Sequence, residues 1–90
     1  MKFCQRNSIH LISDEVYALS VYPSRFAPDA PIFASILSVD PANLIDVDRI
    51  HVFYGFSKDF GAAGGRPGSL ITRNALLRKA VSSNTRFHAL

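Results

Sequence analysis

Tryptophan is absent from this sequence of 90 residues, and methionine and cysteine occur once each. A lone thiol, Cys4, excludes an internal disulfide and fits a reducing, cytoplasmic compartment. Beside Phe3, Cys4 reads as a core filler rather than a nucleophile. No apolar run approaches the ~18 residues of a membrane span. The N-terminus lacks a long apolar stretch, which predicts no secretory signal. Charge is sparse, at 19% of residues with a net +3, and only Arg78 and Lys79 are adjacent cations. No basic run is interleaved with aromatics, so a nucleic-acid surface is not predicted. The histidines, His10, His51 and His88, show no cluster and no ligand spacing, so no metal is predicted. A GxxxxGK[ST] phosphate loop and a Ser/His/Asp set are also missing.

Apolar residues are plentiful by contrast. They make up 48% of the chain, with seven phenylalanines. A body this small buries only about 60–65% of its unfolded surface. That surplus predicts a piece of a larger fold, with faces meant for further segments. One domain at most fits in residues 1–90. Residues 1–7 read as the last turns of a helix stopping at Asn7-Ser8. A start so late in a helix predicts a truncation or a gene reading that begins mid-domain.

Ile9-His10-Leu11-Ile12-Ser13 is nearly continuous in apolar character and predicts a strand buried on both faces. It leads into Asp14 and Glu15, which places two carboxylates at its carboxyl end. Open α/β sheets bind ligands outside the carboxyl ends of their strands. Residues 18–32, with Pro23, Pro28 and Pro31, form a loop anchored by Val21, Tyr22 and Phe26. Phe33–Val39 fits a short helix or a strand equally, and residues 40–43 read as a turn. Arg49–Tyr54 is a second buried strand, and Ser69–Arg73 a third. Asn74 then caps a helix with Leu76, Leu77, Ala80 and Val81 on one face. The long connection between the first two strands permits a parallel crossover. The third strand follows a glycine-rich turn and should run antiparallel to the second.

All five glycines fall between Gly55 and Gly68. That run holds Ser57 and Lys58 just past the second strand, and Arg66 eight residues later. A lysine at a strand end, with an arginine returning across a turn, suits a phosphorylated aldehyde cofactor. The amine forms a Schiff base with the aldehyde, and the guanidinium grips the phosphate as a bidentate fork.

Ile9 through Tyr17 and Tyr54 through Gly68, in this order and spacing, resemble the fold type I pyridoxal-phosphate enzymes. The resemblance is nearest to the class I/II aminotransferases and, within them, to the aminocyclopropane-carboxylate synthase-like branch. Phe3-Cys4 and Ser69–Asn74 extend it more weakly over most of the chain. It implies an α/β fold: a fragment of the large domain, with about three strands (two parallel, one antiparallel) and flanking helices. It implies pyridoxal 5'-phosphate as cofactor, an amino acid as substrate and a homodimer. Lys58 would be the Schiff-base lysine and the base for the Cα proton. Asp14 would pair with the pyridinium nitrogen, and Tyr17 would donate to the phenolate oxygen. Arg66 would bind the phosphate, and Ser57 would add a hydroxyl to it. Glu15 would point the other way, into a structural ion pair. The sequence departs from the family pattern at Gly55, where a phosphate-touching serine often stands, and at Pro67 after the arginine. Transamination is the first chemistry implied, and the cyclopropane-forming lyase reaction is the alternative. A non-catalytic remnant or interaction module is the reading from another class.

Overall fold

The computed structural model describes residues 1–85. Three strands form one sheet in the order β1 (Leu11–Asp14), β2 (Ile50–Gly55) and β3 (Gly68–Thr72). β1 and β2 are parallel, with Leu11 opposite Ile50 and Asp14 opposite Phe53. β3 is antiparallel to β2, from His51 opposite Thr72 to Gly55 opposite Gly68. This is the mixed α/β sheet that the apolar runs predict. Each strand lies within about two residues of its expected bounds, an ordinary error for strand ends.

Helix α1 (Lys2–Arg6) precedes the sheet and ends where Asn7 Nδ2 donates back to the Phe3 carbonyl at 2.8 Å. Ser8 then takes a positive φ of 55° and turns the chain towards β1. Helix α3 (Ala75–Thr85) follows β3 and is capped by Asn74, whose Oδ1 accepts the Leu77 N–H at 2.9 Å. Its Leu76 is 81% exposed, so the packed face is set by Leu77 and Val81, both half-buried. Of the two expected forms of Phe33–Val39, the strand is absent and the short helix is met only in part, by three residues. The segment holds a short 3-10 turn, Ile36–Ser38, begun by the Ser35 hydroxyl accepting the Leu37 N–H.

The core is small. Among the described residues, Ile45, Ile50 and Val52 are the buried apolar ones, with His51 also buried. Val52 is 1% exposed, a burial that stabilises by about 1.5–3 kcal/mol. Ile12 and Phe53, by contrast, stay about half exposed, so β1 and β2 are not covered on both faces as the apolar runs predict. The expected loop anchors Val21, Tyr22 and Phe26 are exposed as well. The extents, 46 × 40 × 16 Å, are those of a slab one sheet and its partial cover thick. The radius of gyration is 15.8 Å. A compact body of this length would have about 12 Å.

Candidate functional site

The connection from β2 to β3 is longer than the single tight turn that the glycines suggest. It contains helix α2 (Phe56–Asp59), then a 3-10 turn, Ala63–Gly65. Two left-handed residues steer it, Gly61 at φ 62° and Arg66 at φ 54°. Glycine meets that demand without penalty, while arginine pays about 1–2 kcal/mol in backbone strain. Helix α2 starts directly after β2, so Ser57 and Lys58 emerge at the carboxyl end of the parallel pair.

On the other side of that end, β1 delivers Asp14. The Glu15 N–H still pairs with the Phe53 carbonyl at 2.9 Å, and the chain then turns. The Val16 N–H lies 3.4 Å from Asp14 Oδ1, a long local contact that leaves the carboxylate exposed. Tyr17 caps a 3-10 turn, Ala18–Ser20. The Lys58 Nζ lies over its ring, 6.0 Å from the centre, at the outer reach of a cation–π contact.

Glu15, one residue past β1, turns its carboxylate to the Ser35–Ile36 segment. It makes no ion pair with any described residue. Its Oε1 accepts from the Ser13 hydroxyl at 3.1 Å, the Ser35 hydroxyl at 3.0 Å and the Ile36 N–H at 2.9 Å. Three donors satisfy one carboxylate oxygen and leave no need for a cation. Arg66 closes the 3-10 turn beside Pro67, and its guanidinium makes no hydrogen bond or ion pair with any described residue. The structure thus brings Lys58 to Tyr17 and sets Asp14 and Ser57 next to them along the chain. It gives no contact between Arg66 and the other four.

Asp59, next to Lys58, carries no signal in the sequence. Its carboxylate accepts the Leu19 N–H at 2.9 Å, the Tyr54 hydroxyl at 2.9 Å and the Ser20 hydroxyl. Partial burial pushes the carboxyl pKa up. The hydrogen bonds from Ser20, Leu19 and Tyr54 outweigh that and hold it below the usual carboxylate value. Tyr54 shifts the opposite way: burial, the hydrogen bond to Asp59 and that residue's charge raise its phenol. The Tyr54 and Phe60 rings meet Phe56 edge-on, with centres 6.2 and 5.3 Å away, and fix α2 against the strand.

His10 and His51 are neighbours, contrary to the reading that the histidines do not cluster. Their rings stack with centres 5.0 Å apart, and His10 Nδ1 lies 2.7 Å from His51 Nε2. His51 Nδ1 lies 2.7 Å from the Thr72 hydroxyl, which also accepts the Asn74 N–H at 3.1 Å. Among the described residues no group of three or more His, Cys, Asp or Glu side chains is arranged to hold a metal. His88 lies outside the described residues. No described helix is long and apolar enough to cross a membrane.

The arrangement of Asp14, Tyr17, Ser57 and Lys58 about the ends of parallel strands can be set beside known proteins. The sequence profile of the family described as "Aminotransferase class I and II" matches residues 1–89. The chain belongs to that family. A relative from Aspergillus oryzae, named "Probable aminotransferase aclI", is 44% identical over 94 residues, covering all of this chain and 22% of the relative. The mouse "1-aminocyclopropane-1-carboxylate synthase-like protein 1" is 40% identical over 90 residues, covering all of this chain and 16% of the relative. A human relative, "Probable inactive 1-aminocyclopropane-1-carboxylate synthase-like protein 2", is also 40% identical, over all of this chain and 15% of its own length. The aminotransferase-family chain therefore spans 15–22% of the length of these relatives.

The donors present suit the groups of a phosphorylated pyridoxal. An amine can meet its aldehyde, a carboxylate its ring nitrogen and a phenol its ring oxygen. A hydroxyl and a guanidinium can meet its phosphate. The juxtaposition of Lys58 and Tyr17 is the observation behind that fit, since the aldehyde and the ring oxygen are adjacent on the cofactor.

Proposed function

We propose that this chain is the cofactor-lysine portion of a pyridoxal 5'-phosphate aminotransferase acting on amino acids in the cytoplasm. The closeness of Lys58 to Tyr17 at the end of a parallel strand pair carries the reading. Bound pyridoxal phosphate would supply an electron sink for the carbanion at the amino-acid Cα. Lys58 supplies the amine that attaches the cofactor and, when released, takes and returns the Cα proton. Asp14 holds the proton at the ring nitrogen, and Tyr17 donates its phenolic hydrogen to the ring oxygen. Ser57 and Arg66 bind the phosphate. Other parts of the site, and the homodimer usual in the family, would come from segments beyond these residues.

A second reading, a non-catalytic remnant that docks on other chains, draws on the human relative whose name marks it as inactive. The lyase reaction of the synthase-like branch is the alternative chemistry. The test is an absorbance spectrum with added pyridoxal phosphate, then borohydride reduction and peptide mapping. The sequence has three lysines, Lys2, Lys58 and Lys79. A new band near the visible edge and a label on Lys58 alone support the cofactor reading. No band, or label spread across all three, supports the remnant.

A further inference from the structure

We infer that Asp59 is a positioning residue that clamps the Tyr17 loop to helix α2 and so sets where Tyr17 stands relative to Lys58. The inference rests on the proposed role of Lys58 and adds a residue to that site. Asp59 follows Lys58 directly, while two of its donors, Leu19 and Ser20, lie two and three residues past Tyr17. The clamp joins positions 40 and 39 residues apart. Its third donor, Tyr54, belongs to β2, so loop, helix and strand meet on one carboxylate.

Little else fastens the loop. Leu19, Val21 and Tyr22 are exposed and add little packing. Within the turn, the Ala18 N–H to Glu15 carbonyl and Ser20 N–H to Tyr17 carbonyl bonds fix local shape but not its place relative to α2. Hydrogen bonds to a charged acceptor are stronger than neutral ones, and three converge on this acceptor. The clamp therefore holds Tyr17 before any cofactor arrives, and a group held in advance costs less to order on binding.

The substitutions that separate the parts are Asp59→Ala and Asp59→Asn. Asparagine has the same shape. Its oxygen can accept from Leu19 and Tyr54 while its amide donates to the Ser20 hydroxyl, so it keeps the clamp and loses only the charge. Two readouts are taken on the whole chain. One is hydrogen exchange at the Leu19 and Ser20 amides without cofactor. The other is the pyridoxal phosphate concentration needed to half-label Lys58 under borohydride. Asp59→Ala is expected to lose the protection of Leu19 and raise the half-labelling concentration about tenfold, the loss of one strong hydrogen bond. Asp59→Asn is expected to keep the protection and most of the labelling. Ser20→Ala removes one leg outside α2 and should shift labelling the same way by a smaller factor, which keeps the test open if Asp59→Ala misfolds.

The clamp is overturned if Asp59→Ala keeps the Leu19 protection. It is equally overturned if protection is lost but Lys58 labels as before, or if Asn behaves as Ala does. Failure of the cofactor reading looks different: Lys58 of the unmodified chain is then unlabelled, or labelled no more than Lys2 and Lys79, and the positioning role falls with it.

Discussion

His10 and His51 share a short ring-to-ring hydrogen bond of 2.7 Å across the parallel strands, and His51 is only 3% exposed. One nitrogen of the pair must donate and the other accept, so the contact tolerates a single proton between them. Burial, then the charge of His10, holds the His51 imidazole below its ordinary pKa. The unfolded chain thus binds a proton on this residue at a pH where the folded chain does not. Its contribution is fully present above the unfolded value of about 6.5 and is lost as pH falls through the lower folded value. Thermal unfolding followed across this acid window should show a falling midpoint. In His51→Gln the fall in that window should flatten.

Arg66 offers a trade between backbone and function. Its φ of 54° is the left-handed conformation that glycine adopts freely. Arg66→Gly should leave the folding midpoint unchanged or stabilise by up to about 1 kcal/mol. The same change removes the guanidinium assigned to the phosphate and should raise the concentration of pyridoxal phosphate needed to label Lys58. A drop in both stability and labelling would mean that the side chain holds the fold and not the cofactor.

Asn74 caps α3 and ties it to the turn that leads into β2. Its Oδ1 accepts the Leu77 N–H, and its Nδ2 donates to the Asp48 carbonyl at 3.0 Å. Loss of a helix cap costs about 1 kcal/mol, and the second bond adds to that. Asn74→Ala should destabilise by roughly 1–2 kcal/mol, and Asn74→Asp, which keeps the cap and loses the Asp48 bond, by less. Denaturant unfolding of the two variants separates the parts.

The features readable in the sequence were those written in local patterns. Runs such as Ile9–Ser13 and Arg49–Tyr54 gave the strands, the glycines marked the β2–β3 connection, and Asn74 marked a cap. The approach of Lys58 to Tyr17 was legible because both lie just past the carboxyl ends of strands that pair in parallel, while Arg66, on the later glycine-rich stretch, makes no contact with them. Contacts between distant positions were not legible. The His10–His51 pair spans 41 residues and the Leu19–Asp59 bond 40, and no spacing encodes either. Exposure was misread for a related reason. Val21, Tyr22, Phe26 and Leu76 look like core residues by type, yet what buries an apolar residue is the segment packed on it, which type alone does not reveal.

Gly55 ends β2 where the family pattern often has a serine. Its backbone, at φ −154° and ψ 164°, is extended and open to any residue. A Cβ there would sit 3.4 Å from the Pro67 carbonyl oxygen and 3.9 Å from Gly68 Cα, which is contact without a clash. Gly55→Ser should therefore fold with a stability change within about 1 kcal/mol, glycine's extra unfolded freedom offsetting the tighter contact. If Ser57 and Arg66 bind a phosphate, the added hydroxyl lies on the same connection and supplies one more donor. The expected result is a few-fold lower pyridoxal phosphate concentration for half-labelling of Lys58, in the range of one neutral hydrogen bond. An unchanged concentration, with folding intact, would place the phosphate away from residue 55 and shift its binding to Arg66 and the segments beyond this chain.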